Sequence, residues 1–400
     1  MPLKETIQAV VHFQNQELQV QKKGITRELL SELDFKAPHA LIISGIRRCG
    51  KSTLLKQLMQ RQEEKPYYIN FEDPRLFNFT LQDFEKLEEV FKEQFPQNKN
   101  YFFDEIQNVA DWERYVRHLL DTGKKVALTG SNASLLSREL GTKLTGRHLT
   151  YELFPFSYTE MLTFTKQKPN ADSLAQYMEK GGFPEFLEQG KTAMLQELCT
   201  DILARDIIVR QGLRDERTIK SLLIYLITNV GKEFSYNKIA KILEVGSANT
   251  IISYVSFLED SYLLFTMNKF NYSYKKQLLG PKKVYAIDTG LARANSVSFF
   301  SEQGRVLENV IFLHLRRKYK TIYFFRERHE CDFIVVEAGK PVEAIQVCYQ
   351  LTEENRQREI AGLEEAMDTL KIKKASIITF NQEDTLDEIK VIPAWKWMSY

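Results

Sequence analysis

The sequence predicts an α/β protein that opens with a parallel sheet of the strand–loop–helix kind, and three stretches carry that prediction. Residues 42–55, IISGIRRCGKSTLL, place Gly45, Gly50, Lys51 and Ser52 at the spacing G-x-x-x-x-G-K-[ST] without a mismatch. Residues 99–106, KNYFFDEI, make an apolar strand that stops at Asp104 and is followed at once by Glu105. Residues 126–129 make another apolar strand, tipped by Gly130, Ser131 and Asn132.

The loop comes first. An apolar run, 40–43, leads into it, and a helical pattern of Thr53, Leu54, Leu55, Leu58 and Met59 leads out. Its glycines let the backbone of Gly45, Ile46, Arg47, Arg48, Cys49, Gly50, Lys51, Ser52 and Thr53 turn so that N–H groups face one centre. The start of the following helix adds its positive end to the same anion site. Lys51 is expected to reach the β- and γ-phosphates of ATP, and Ser52 to ligate Mg²⁺. Asp104, at the tip of a buried strand, is the expected second Mg²⁺ residue, acting through water. Glu105 is the expected general base for the water that attacks the γ-phosphate. Ser131 or Asn132 would stand beside that water, with Asn132 the candidate sensor. Arg147 follows Gly146 just before a fifth strand, 149–153. It would stabilise transition-state charge in cis, reach a neighbouring subunit, or be a surface residue. Cys49 is either a small loop-filling residue or a thiol whose oxidation blocks ATP.

Around these motifs the remaining elements are plainer. Residues 4–20 read as an amphipathic helix and 28–33 as a short one, a lead-in that packs on adenine or simply caps the sheet. Residues 66–71 read as a second strand ending in Glu72 and Asp73, which are ligand-edge or solvated acids.

Composition narrows the class. Four hundred residues imply two to four domains. The balance of 55 basic and 53 acidic residues means that the whole-chain charge selects no partner. No run of eighteen apolar residues occurs, so no membrane span is expected, and the N-terminus lacks a signal-peptide core. The four cysteines are scattered without a CxxC pair, and the six histidines form no ligand pattern. That usage predicts reduced thiols in the cytoplasm.

The ordered set GIRRCGKSTLL, INFEDPR, YFFDEIQ, LTGSNASLL, GRHLTYELFPFSYTEM and GGFPEFL resembles the bacterial and archaeal AAA+ ATP-binding proteins of the fourteenth AAA subfamily. The resemblance runs from about residue 27 to the C-terminal end. It implies an ATPase core with strand order 5-1-4-3-2, then a helical lid, a winged-helix module and an endonuclease-like α/β fold. The expected boundaries are 1–165, 166–215, 216–285 and 286–400.

The later segments add their own signals. Residues 172–213 show helical periodicity broken at 181–184, with Arg205 a candidate lid arginine or half of an intrahelical ion pair. Residues 217–285 read as a winged helix with ten Lys/Arg against four Asp/Glu. Lys269, Lys275, Lys276, Lys282 and Lys283, interleaved with Phe270, Tyr272 and Tyr274, are expected near the wing as a DNA-backbone contact. The second helix of the pair has no Lys or Arg, so non-specific binding is the expected kind. In the last segment Glu308 and Asp332 match the layout of PD-(D/E)XK nucleases, but Gln346 and Cys348 stand where Glu and Lys are required. Glu343 would substitute only by a shift in position. Arg326 and Arg328 would bind a phosphate or pair with Asp332. The expected function is therefore MgATP hydrolysis that drives or times a domain rearrangement on DNA. The alternatives are an ATP-controlled protein switch without nucleic acid and, third, a Mg²⁺-dependent nuclease. Self-association is a further expectation.

Overall fold

The computed structural model describes residues 1–20, 24–131, 144, 146–296 and 302–399. By contact the chain divides into two compact units, Met1–Leu153 and Phe154–Tyr400. The segments expected as lid, winged module and nuclease-like domain fall in one unit by contact, and the two units part at residue 153. The reason is local. The Phe156 N–H donates to the Gly182 carbonyl at 2.7 Å, and the Tyr177 hydroxyl donates to the Phe156 carbonyl at 2.8 Å. A Cβ on Gly182 would stand 2.2 Å from the Phe156 oxygen, so only glycine admits this approach.

In the first unit five strands form one parallel sheet: β1 (Ala40–Ser44), β2 (Tyr67–Asn70), β3 (Asn100–Asp104), β4 (Lys125–Gly130) and β5 (His148–Glu152). Their order is β2-β3-β4-β1-β5, which is the expected 5-1-4-3-2. All five residues of β1 are buried, as are most of β3 and β4. Unbroken apolar runs of this kind belong to strands covered on both faces. Four helices described here, α1 (Lys4–Val20), α2 (Lys51–Met59), α3 (Asp83–Gln94) and α4 (Trp112–Asp121), belong to the same unit. Phe71, Phe84, Phe103 and Tyr115 fill its aromatic core, with Phe84 stacked on Tyr115 at 3.9 Å. Because β4 lies between β1 and β3, its C-terminal tip stands between the Gly45–Lys51 loop and Asp104. That is where an open parallel sheet places its ligand. The short helix expected at 28–33 is a single 3-10 turn, Glu28–Ser31.

The second unit starts with helices Tyr158–Thr165, Ala171–Lys180, Pro184–Gln189 and Thr192–Asp201, the last continuing as a π-helical stretch, Ile202–Val209. Helices Glu216–Thr228, Tyr236–Ile242 and Ala248–Asp260 follow. They are interleaved with β6 (Glu233–Phe234), β7 (Leu264–Asn268) and β8 (Lys282–Ala286), an antiparallel sheet of order β6-β8-β7. The C-terminal part is a six-stranded mixed sheet, β13-β14-β12-β11-β10-β9. Its strands are β9 (Ile322–Arg326), β10 (Glu330–Glu337), β11 (Lys340–Cys348), β12 (Lys374–Thr379), β13 (Asp384–Leu386) and β14 (Ile389–Pro393). Helix Gln303–Lys318 precedes β9, and helix Glu353–Leu370 carries the crossover from β11 to the parallel strand β12. No helix among the described residues is long and apolar enough to cross a membrane. The four cysteines are unpaired and buried.

Candidate functional site

The site of the first unit is assembled at the C-terminal ends of β1, β3 and β4. The loop leaves β1 at Ser44 and doubles back through Arg48 (φ 63) and Gly50 (φ 102) before α2 begins at Lys51. A Cβ on Gly45 would stand 2.0 Å from the Leu153 carbonyl oxygen, so the loop can only start on glycine. The Lys51 ammonium donates to the Ile46 carbonyl at 3.2 Å and lies 3.6 Å from Glu105 Oε1. The Ser52 hydroxyl donates to Asp104. Four expected residues, Lys51, Ser52, Asp104 and Glu105, therefore come together.

Asp104 is fully buried. Burial pushes its carboxyl up, with the Glu105 charge adding to the effect and bonds from Thr129 and Ser52 opposing it. Burial alone would lower the Lys51 ammonium, but the charges around it, Glu105 foremost, outweigh that and the net shift is upward. A buried carboxylate that lacks a full counter-charge, beside a hydroxyl, fits a divalent ion.

Three residues of this cluster escaped the sequence reading: Tyr68, whose hydroxyl donates to Asp104 Oδ2 at 3.3 Å, Thr129 and Gln107. Thr129 bridges the acids: its hydroxyl donates to Asp104 Oδ1 and accepts from the Glu105 N–H at 3.0 Å. Gln107 sits in the turn Ile106–Asn108 that follows Glu105, whose backbone is left-handed at φ 50. The Gln107 amide nitrogen donates to Glu105 Oε2 and, at 3.2 Å, to Ser131 Oγ. Its amide oxygen is buried with no partner among the described residues, 3.2 Å from where a Cβ on Gly130 would stand. The FDEIQ run held the signal for Gln107, but the reach back to Glu105 depends on that left-handed residue.

Other expected residues lie elsewhere. Asn132 is outside the described residues. Arg147 is not brought to the cluster. Its carbonyl accepts from the Ala40 N–H at 3.0 Å, level with the start of β1, about 13 Å of strand from the loop. Its guanidinium pairs with Asp121, so the cis role is corrected on both counts. Arg205 makes the intrahelical pair, 4.0 Å from Asp201. Cys49 is fully buried, donates to the Leu153 carbonyl at 3.4 Å and has its thiol pushed up by burial, so it fills space and makes a poor nucleophile. Arg47 reaches Glu72 at 3.1 Å, whereas Asp73 is taken by Arg75 and caps a turn. The lead-in is fastened to α2 and the loop. Gln57 Nε2 donates to the Ile25 carbonyl at 2.6 Å, and Arg27 Nη1 donates to the Cys49 carbonyl at 2.8 Å.

In the second unit Lys283 is not on a wing surface. It is buried, and Lys282 is half-buried against Asn268. Phe270 is likewise in the core, which leaves Tyr272, Tyr274, Lys275 and Lys276 exposed. Glu343 pairs with Lys374 at 2.8 Å, on the face of β11 opposite to Gln346, and cannot substitute as a ligand. Arg326 pairs with Glu233 and Glu330 and not with Asp332. Cys348 donates to the Gln350 carbonyl at 3.1 Å, with its thiol pushed up to about 11 by burial.

Comparison with known proteins agrees with the sheet and the loop. Residues 37–162 match the model of an AAA domain. Residues 171–300 and 303–397 match two domains of unknown function, DUF8612 and DUF4143. The chain is 36% identical to the uncharacterized protein MJ1544 of Methanocaldococcus jannaschii, over 97% of its own length and 94% of that protein. It is 31% identical to an uncharacterized protein of Haemophilus influenzae, over 94% and 99% of the two lengths. Among solved structures it aligns with a signal-transduction ATPase of Pyrococcus horikoshii that carries a tetratricopeptide-repeat sensor. That match has a TM-score of 0.28 and 15% identity, and covers 75% of this chain but 47% of that one. AMPPCP-bound DnaA of Aquifex aeolicus aligns with a TM-score of 0.30 and 12% identity, over 58% and 85%. The chain belongs to the family that includes these archaeal and bacterial relatives, and its residues 37–162 match an AAA domain.

Proposed function

We propose that the chain binds MgATP in the first unit and hydrolyses it slowly, and that the cycle times a movement of the second unit. The observation that carries this reading is the meeting of Lys51, Ser52, Asp104 and Glu105 at the C-terminal edge of the parallel sheet. Mg²⁺ bound by Ser52 and Asp104 would supply charge neutralisation on the triphosphate. Lys51, whose ammonium lies 3.6 Å from Glu105 Oε1, turns to phosphate oxygens when ATP enters. That exchange frees Glu105 to accept a proton from water. Gln107 keeps hold of the other carboxylate oxygen and so orients the base, while Ser131, bonded to the same amide, senses the γ-phosphate.

The test is turnover by purified variants. Lys51→Ala should lose binding, and Glu105→Gln should bind without hydrolysing. Undiminished activity in both would refute the assignment.

DNA is the first candidate for what the cycle acts on. The order of elements over 216–286 has the proportions of a winged helix, and exposed Tyr272, Tyr274, Lys275 and Lys276 stand at the tip between β7 and β8. Lysines interleaved with aromatics suit a phosphate backbone. Burial of Lys283 reduces that surface, so the contact is smaller than the sequence suggested. ATP turnover measured with single- and double-stranded DNA decides. Salt-sensitive stimulation supports this reading, and its absence turns the proposal to an ATP-controlled protein switch.

A further inference from the structure

The second unit holds a polar cleft of about 620 Å³, floored by Glu308, Glu330 and Asp332 and rimmed by Arg326, Arg328 and Arg358. The three acids converge on one side chain. Lys283 Nζ lies 3.0 Å from Glu308 Oε1, 2.7 Å from Glu330 Oε1 and 3.1 Å from Asp332 Oδ1. Glu308 and Asp332 are the two acids whose layout in the sequence resembles that of metal-dependent nucleases, so the fit of a metal can be tested against the residues present. They do not fit one. Among the described residues no group of three or more His, Cys, Asp or Glu is placed to hold a metal. Gln346, in the position of the missing acid, has both ends engaged. Its Oε1 accepts from the Asp332 N–H at 3.2 Å, and its Nε2 donates to Glu359 Oε2 at 2.7 Å. Asp332 Oδ2 accepts from the Val347 N–H at 3.0 Å. The oxygens stand at hydrogen-bond distance from a nitrogen, whereas Mg²⁺ draws them in to about 2.1 Å.

We propose that Lys283 is the resident cation of this cleft: its ammonium takes the place of a divalent ion among Glu308, Glu330 and Asp332 and leaves the cleft without metal-dependent phosphodiester cleavage. The backbone explains why the lysine stays. Its strand, β8, is the middle one of three, with Lys283 opposite Glu233 on one side and Met267 on the other. Tyr285, two residues on and on the same face, donates to Glu308 Oε1 at 2.7 Å and stacks on Phe312 at 4.1 Å and 8°. Asn309 accepts from the Ala286 N–H at 2.8 Å and donates to its carbonyl at 3.1 Å. A lysine on a loose loop would yield to a dication. This one cannot withdraw unless β8 parts from helix Gln303–Lys318.

The test is a Mn²⁺ titration of the full chain without nucleotide, followed by electron paramagnetic resonance and thermal unfolding. The wild type should bind no Mn²⁺ in the cleft, and neither Mn²⁺ nor chelator should move its melting temperature. Lys283→Ala, or Lys283→Met if alanine does not fold, should gain one Mn²⁺ site and a Mn²⁺-dependent rise in melting temperature. Asp332→Asn on top of it should abolish both. Wild-type Mn²⁺ binding, or Mn²⁺-dependent nicking of plasmid DNA, that disappears in Asp332→Asn overturns the proposal, and this arm needs no lysine variant to fold. A folded Lys283 variant that takes up no Mn²⁺ overturns it as well.

Discussion

Replacing Gln107 with alanine probes how the base is held. The Gln107 amide nitrogen is the one described contact that joins the Glu105 carboxylate to the Ser131 hydroxyl. Alanine removes both bonds and leaves Glu105 held by Lys51, which is itself to be drawn away by phosphate. A hydrogen bond to a charged group contributes about 1.5–3 kcal/mol. If that amount is realised in the transition state, kcat falls about 10- to 150-fold, since 1.36 kcal/mol is tenfold in rate. KM should change little, because Gln107 lies on the base and not on the loop. Steady-state phosphate release by wild type, Gln107→Ala, Glu105→Gln and the double variant is the assay. With Glu105 already neutral, loss of Gln107 should cost almost nothing more. An unchanged kcat in Gln107→Ala, or an additive loss in the double variant, refutes the idea that Gln107 acts through Glu105. Parallel melting curves separate this from a folding defect.

Four further outcomes follow from the geometry. Lys51→Ala should abolish ATP binding, read by calorimetry, since it removes the ammonium between the loop and Glu105. Glu105→Gln should keep binding while turnover drops about 10²- to 10⁴-fold, the usual worth of a general base; a drop in affinity instead would contradict its role. Arg147→Ala should leave turnover unchanged, because its guanidinium pairs with Asp121 at the far end of the sheet; a large loss would mean that it acts on a neighbouring copy. His314 gives a pH signature. Burial, with Lys318 and Arg317 nearby, holds its ring at about 3. Above about pH 6.5 the ring is neutral folded or unfolded; below that only the unfolded chain takes the proton, so stability falls as pH drops towards 3. At pH 5 the loss is about 2 kcal/mol, and the stability gap between wild type and His314→Leu in urea unfolding should narrow by that amount from pH 7. A gap independent of pH would count against a neutral, partly buried ring.

The nucleotide-site motifs were legible because each is local. The loop, Asp104 and Glu105 are set by residues adjacent in sequence, and the apolar strands that end in them are long enough to read. What depended on register or on a single backbone angle was not legible. Lys282 and Lys283 are neighbours on one strand and must face opposite ways; nothing in the pair says which one turns inward, and only Tyr285, sharing the face of Lys283, betrays it afterwards. Gln107 reaches Glu105 because Glu105 is left-handed, a state that no propensity assigns to glutamate. Arg147 precedes its strand, and in a parallel sheet that order already puts it at the N-terminal edge, away from the loop. The edge strand β13 and its neighbour β14 are short, and β13 is mostly exposed, so their apolar signal is weak.

Calorimetry of the Glu105→Gln chain with MgATP, with phosphate release followed in the same sample, goes most directly to the central claim. One ATP per chain, bound and left intact, with binding lost when Lys51→Ala is added, is the result expected of this site. Folded protein that shows no heat of association with MgATP would mean that the loop and the acids at the sheet edge do not form a nucleotide site.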